Sequence, residues 1–376
     1  MNFYLIIVCS LFPFDVDCRD FVQPEFPTPI SGKEPDNGLV DIERPRDLFR
    51  PTKTSTDGVE IQSVPGASHL YSKRQAWNAD ETHLVTSQNE LINVFGKKII
   101  ETLPFDGDFV WSNKNSELLF GFKLKAGKLN QFVRYNISTK TTTEIKTFDG
   151  WDAMSIGGWE GNSSNSDRYF VFAGTFENGR HLISYDIVQN EPLGTIRAKW
   201  NFNWAGFSQS GKHILVENNH YPDPNPVLIQ YKPDLTGERQ IYKSPNHGDF
   251  CIDMNGDDVY MMAGKKLEWI HLDSGSVSSF SFNEYNYGHI SCRSINRPGW
   301  AYISFTNPGV IGAVPIDTQS QKWEFWGYHR SSQRNYAAQA KASASPSGTK
   351  VIFTSDWFGG QEISDFVLSV PVKVMR

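Results

Sequence analysis

The chain has 376 residues, a net charge of -6, only 21% charged residues and 14% aromatic residues, 11 of them Trp. That length allows one large domain or two ordinary ones, and without a basic stripe the chain lacks the charge to neutralise nucleic-acid phosphates. No segment approaches the run of about 18 apolar residues that a membrane-spanning helix needs.

The N-terminus opens with an apolar run, Phe3–Phe14, of the length of a signal-peptide core, although no positive residue precedes it. A signal peptide over residues 1–18 is therefore expected, and with it a secreted or periplasmic protein. Cys18 stands in Asp-Val-Asp-Cys, without the small residues of a lipoprotein cleavage site. Residues 19–57 are rich in Pro, Asp and Arg with little periodicity and read as an extended lead-in. Val59–Val64 reads as a strand.

From there one phrase recurs about seven times: a polar turn followed by a short β-branched or aromatic strand. It reads Asn78–Val85, Ser112–Phe120, Asn165–Phe172, Ser208–Val216, Asp253–Tyr260, Asn296–Ile303 and Ser345–Phe353. The turn residues Asp80, Ser116, Asp167, Gly211, Gly256, Gly299 and Gly348 lie between 36 and 51 residues apart. Such periods, each holding several short strands, are the mark of a β-propeller. Asp, Asn, Ser and Gly supply the turns, and Val, Ile, Phe and Tyr suit a pleated buried surface. The expected fold is all-β, a seven-bladed propeller of four-stranded antiparallel blades over residues 58–376, with Val59–Val64 able to pair with the last blade and close the ring. Asn136 and Asn162 begin Asn-x-Ser sequences, which would be glycosylated on the surface only in a eukaryotic host.

Three histidines precede their turns by about eight to eleven residues: His69, His247 and His289. That offset places them at the start of the innermost strands, at the mouth of the central channel. Neutral imidazoles with a thiolate or carboxylate could bind a divalent metal there, and His247, His289 and Cys292 are the candidate ligands for zinc or manganese. Alternatively His and Tyr act as general base and acid while Arg neutralises a substrate carboxylate. Each histidine could instead simply hydrogen-bond a neighbouring blade. Cys251 and Cys292, 41 residues apart, suggest related positions on adjacent inner strands. A disulfide, buried thiols and metal ligation all remain open, since neighbouring inner strands often exceed the roughly 7 Å limit for a bond. Arg74, Asn203, His220, Tyr221 and His247 are candidate substrate contacts. No Gly-x-Ser-x-Gly elbow, phosphate-binding Gly-rich loop or His-Glu-x-x-His motif is present.

Ser345–Trp357 resembles the repeat of TolB-type propellers. Tyr71–Asp80, His247–Phe250 and Gly288–Arg293 resemble segments of secreted propeller polysaccharide lyases: oligogalacturonate lyase, the ulvan lyases and rhamnose-glucuronate lyase. The resemblance implies β-elimination at a uronic acid, of glucuronate rather than galacturonate type, with an anionic oligo- or polysaccharide as partner. It implies His69 and Tyr71 as base and acid, His289 and Arg293 near the substrate carboxylate, and His247 and Cys292 at a metal or the channel wall. Gln339 is a further possible ligand. The implied cofactor is a divalent metal (zinc, manganese or calcium) with no organic cofactor, in a monomer that contacts neither nucleic acid nor membrane. The competing reading is a non-enzymatic propeller that binds a glycan or protein on its top face.

Overall fold

Each polar turn of the repeat reverses the chain between the innermost strand of a blade and the next one. In the computed structural model, which describes residues 21–31, 52–53, 60–64, 69–94, 98–198, 201–219, 226–264, 266–280, 286–320, 322–360 and 362–375, these reversals build seven antiparallel sheets in a ring. The second blade is typical: Phe109–Trp111, Leu118–Lys125, Lys128–Asn136 and Thr141–Thr147 follow one another outward. Inner strands of the third to seventh blades are Asp152–Ile156, Asn201–Phe207, Gly248–Ile252, Asn286–Ser291 and Ser343–Ala344. The expected signal peptide lies outside the described residues.

Among the described residues there are two departures from four strands per blade. The first blade has three strands, His83–Val85, Glu90–Asn93 and Lys98–Thr102, and its inner position is filled by isolated bridges from His69 to Thr86 and Trp77 to Leu84. The sixth and seventh blades each reach five strands, because Ile30–Ser31 pairs with Lys322–Tyr328 and Thr52–Lys53 pairs with Glu60–Val64. Glu60–Val64 in turn pairs with Ser364–Ser369, so the start of the propeller completes its last blade and closes the ring. Phe21–Pro24 pairs with Val372–Met375.

The apolar residues form one cluster at each of the seven blade-to-blade interfaces rather than a single core. Between the second and third blades Phe122, Phe132, Phe170 and Phe172 interlock, with Phe132 and Phe172 ring centroids 4.7 Å apart. Aromatic rings fill these wedge-shaped gaps at little conformational cost. At the turns, Gly211, Gly256, Gly299 and Gly348 adopt positive φ, which side chains with a Cβ resist. Carboxylates then tie one turn to its neighbour. Asp167 accepts from the Ser112 hydroxyl at 2.6 Å, Asp258 from Ser208 at 2.7 Å, and Glu81 from the Ser347 backbone N–H at 2.7 Å across the ring closure.

Cys251 and Cys292 are joined in a disulfide, with Cα atoms 5.1 Å apart. Inner strands converge toward the axis, which brings the fifth and sixth blades within bonding range there. The expectation of Cys292 as a metal ligand is corrected accordingly, since its sulfur is consumed. In the chain-entropy account a loop of this length stabilises by about 4 kcal/mol. Cys251→Ser should therefore lower denaturant stability by about 2–5 kcal/mol, with no further loss on adding reductant. An unchanged denaturation midpoint would show that the bond contributes nothing.

Candidate functional site

Tyr71, Lys73, Glu160, His247, His289, Gln339 and Lys341 come from five different blades, and every one belongs to, or lies beside, an inner strand. His247 immediately precedes Gly248–Ile252, His289 lies within Asn286–Ser291, and Lys341 precedes Ser343–Ala344. Tyr71 and Lys73 follow the His69 bridge, and Glu160 follows a short helical bulge, Gly157–Trp159, inserted after the third inner strand.

The Tyr71 hydroxyl lies 3.0 Å from His247 Nδ1, and its ring meets His289 edge-on at 5.4 Å between centroids. The His247 and His289 rings are 4.6 Å apart. His289 is buried, and its Nε2 has no hydrogen-bond partner. A buried polar atom without a partner is uncommon in a folded protein and calls for an explanation; among such atoms here, His289 Nε2 is the one whose residue lines a cavity with a second imidazole. Both imidazoles line a cavity of about 390 Å³ together with Asn246, Asn286, Gln333 and Gln339.

Burial, and secondly the charge of Glu160, holds the Tyr71 phenol well above its ordinary range, so it stays protonated. His289 is pushed down to about 3, first by desolvation and then by His247 and Lys341. Solvent reaches the His247 ring, yet the dense wall around it and the nearby Lys73 ammonium also lower its pKa. Both imidazoles are therefore neutral near pH 7. Lys73 is buried, pairs with Glu160 at 2.6 Å and lies 4.2 Å from the centre of the Trp204 ring. Lys341 is buried beneath Tyr336, donates to its carbonyl at 3.1 Å, and has its pKa lowered by desolvation. Tyr71 and Tyr336 are within hydrogen-bonding reach of each other.

Several expected site residues are placed otherwise. His69 is 1% exposed; Nδ1 lies 3.2 Å from Asp365 and Nε2 is 2.5 Å from the Lys341 carbonyl. With both ring nitrogens held, it fastens the first blade to the seventh and has none left to serve as base. Arg293 is buried against Asp249, donating at 3.0 and 2.9 Å, and also donates to the Phe250 carbonyl. Its charge is neutralised in the wall between the fifth and sixth blades and is not offered to a substrate carboxylate. Arg74 grips Asp108 and the Trp159 carbonyl while lining a second cavity. Asn203 is exposed and donates to Glu217 at 3.1 Å. His220 and Tyr221 lie outside the described residues. Asn162 is half-buried, its amide donating to the Lys73 carbonyl at 2.6 Å.

For a metal, the described residues bring together no group of three His, Cys, Asp or Glu. His247 and His289 share their cavity with Gln339, but one His247 nitrogen is engaged by Tyr71, His69 is fully bonded and Cys292 is oxidised. His247 Nε2, His289 Nε2 and the Gln339 amide oxygen are the donors left of the expected set, fewer than the four ligands zinc takes in a structural site, and calcium would need a cage of oxygens. A further cavity of about 250 Å³, lined by residues such as Leu182, Phe202, Val216 and Leu235, lies away from the titratable cluster.

Sequence reasoning missed Lys73, Glu160, Tyr336 and Lys341. Lys341 had a faint signal as a lone charge in Ala340-Lys-Ala342-Ser-Ala344, at the start of a buried strand. Glu160 had another in Gly157-Gly-Trp-Glu-Gly161. A Cβ at Gly157 would stand 1.9 Å from the Ala205 carbonyl oxygen and one at Gly161 2.8 Å from it, so the bulge packs against the fourth blade only without side chains there.

Comparisons agree with this architecture. No protein-family model matches the chain, and no curated protein matches it in sequence. Among solved structures, it is similar to oligogalacturonate lyase from Vibrio parahaemolyticus at a TM-score of 0.61 and 13% identity, covering 86% of this chain and 96% of that one. It also matches an oligogalacturonate lyase in complex with manganese (TM-score 0.43, 10% identity, 94% and 98% covered). A third match is the β-propeller domain of the Trilobed protease from Pyrococcus furiosus (TM-score 0.47, 10% identity, 88% and 95% covered). At these identities the likeness is one of fold.

Proposed function

We propose that this propeller cleaves a uronate-containing glycan, of glucuronate type, by β-elimination at the channel mouth. The observation that carries this reading is the buried, unpartnered His289 Nε2 beside the Tyr71 and His247 pair, with two buried lysines close by. His289 Nε2 takes the C5 proton, and the C5–H electron pair forms the C4–C5 double bond. The C4–O bond then breaks, and the departing oxygen receives the Tyr71 proton. No water is consumed. Lys341 compensates the charge that develops on the uronate carboxylate, the task first expected of Arg293. Between turnovers the proton taken by His289 passes to the neighbouring His247, whose Nδ1 returns one to the Tyr71 oxygen, so that base and acid are both reset. Binding an anionic uronate favours the imidazolium and raises His289 from its low value toward the working range of a base. The Cys251–Cys292 bond is of a kind that persists in oxidising compartments and supports a secreted protein.

The test is incubation with ulvan, gum arabic and pectin fragments, following the ultraviolet absorbance of the unsaturated uronate. Activity should appear with a glucuronate-containing glycan and survive a chelator. It should fall at acid pH as the imidazoles protonate. It should also fall on the alkaline side below the ordinary lysine range, because the Lys341 ammonium is lost early. No product from any fragment would end the lyase reading in favour of a glycan-binding propeller, and full loss with chelator would return a metal to the site.

A further inference from the structure

The gap between the third and fourth blades holds the cavity of about 250 Å³, walled by Leu182, Ile196, Phe202, Val216 and Leu235. Strand alternation brings one polar group into that wall. In the strand Ile214–Asn219, Ile214, Val216 and Asn218 share the face turned toward the third blade. Asn218 is 4% exposed, and its amide oxygen has no hydrogen-bond partner. Protein interiors rarely keep a space larger than a water molecule, so contacts must prop this one open. Two of them cross between the blades. The Ser184 hydroxyl of the third donates to the Pro233 carbonyl of the fourth, and Gly194 lies so near the Asp234 carbonyl that a Cβ would stand 1.9 Å from its oxygen. They hold the Lys232–Leu235 turn across the gap and keep Leu235 buried in the wall at φ 61, a conformation leucine adopts only when its surroundings impose it. Opposite, Arg180 stacks 3.8 Å from the centre of the Phe202 ring and donates to the Phe202 carbonyl at 3.2 Å. The walls are thus fixed in advance of any ligand.

The lining dictates the class of ligand. Apolar walls favour an apolar body, and an engineered cavity of about 150 Å³ with similar walls already takes benzene. An unpaired acceptor among them favours a single N–H or O–H donor, because a buried acceptor left unmet forfeits its hydration. The charged residues of the lining are Arg197 and Glu238, both exposed and opposite in sign, and Glu238 is within hydrogen-bonding reach of the buried Tyr231 hydroxyl. A charged ligand would lose hydration to a rim whose charges cancel. A saccharide would bury more hydroxyls than this wall can satisfy. We propose that the cavity is a binding site for a small neutral molecule, an apolar body with one hydrogen-bond donor, seated with that donor on Asn218 Oδ1. The site is separate from the channel mouth and does not rest on the lyase reading.

The experiment uses two bicyclic probes of nearly the same shape, indole and benzofuran, of which only indole carries an N–H. Each is titrated into the full chain and followed by calorimetry and ligand-observed NMR. Indole should bind at one site, about fivefold or more tightly than benzofuran, the difference a hydrogen bond to a buried acceptor makes. Asn218→Leu keeps the wall apolar at similar volume and should bring indole down to the affinity of benzofuran. Val216→Phe fills the cavity and should abolish binding of both probes. Leu182→Phe fills it from the third blade and serves where Val216→Phe does not fold. No binding of either probe, equal binding of both to the parent, an Asn218→Leu protein that still prefers indole, or binding that survives a folded cavity-filling variant would each overturn the proposal.

Discussion

Replacing His289 by Ala is expected to lower kcat for glycan cleavage by about a hundred- to ten-thousand-fold, the usual contribution of a positioned base, while the protein remains folded. The side chain makes no hydrogen bond through Nε2, so its removal breaks no buried polar network. Tyr71→Phe should give a loss of similar size with little change in stability, because it deletes the proton for the leaving oxygen and leaves the aromatic contact with His289. His69→Ala provides the contrast. It removes the ring contacts to the Lys341 carbonyl and to the buried Asp365 carboxylate, which keeps the backbone N–H of residue 69 and the Thr354 hydroxyl, and should cost about 1–3 kcal/mol of stability. Its kcat per folded molecule should stay close to that of the parent. Should His69→Ala silence a fully folded enzyme while His289→Ala does not, the base has been assigned to the wrong imidazole.

The second large effect is on stability. Arg293→Ala leaves Asp249 as an uncompensated charge in a wall where the carboxylate is 1% exposed, and the expected loss is about 3–5 kcal/mol. Asp249 also accepts the Cys292 backbone N–H at 2.8 Å, so the same change loosens the strand that carries the disulfide. Arg293→Lys, a single point charge in place of a two-pronged donor, should recover only part of the loss. Calorimetric unfolding checks both. An Arg293→Ala protein that unfolds at the parental temperature yet fails to bind uronate would restore the arginine to the substrate.

The two variants separate what was legible in the chain from what was not. His289 was readable as a candidate because its offset from a repeat turn places it at the start of an inner strand, and Tyr71 because the segment that holds it resembles those of propeller lyases. His69 satisfied the same rule and Arg293 came with the resemblance, and neither signal could say that their nitrogens or charge were already spent. Asp365 lies 296 residues from His69 in sequence, and Asp249 lies 44 residues from Arg293. No local pattern encodes a partner at such distances. Tyr336 carried no signal, since it sits in an irregular segment whose only order is a single helical turn capped by Asn335.

By itself, the sequence determined the number of sectors, the turn that punctuates each, the alternation that makes them strands, and the closing role of residues around Glu60–Val64. All but the last are short-range matters: φ preference at Gly211 or Gly348, pleated packing of the residues that follow, and repetition; the last follows from the need of a ring to close. Only the tertiary structure decided which polar side chains face the axis with unfilled valence and which are consumed in the wall, and that Cys251 and Cys292 meet. The reason is geometric. In a ring, residues from five blades become neighbours at the axis, and burial together with charge pairing there, rather than spacing along the chain, sets which groups remain free to react.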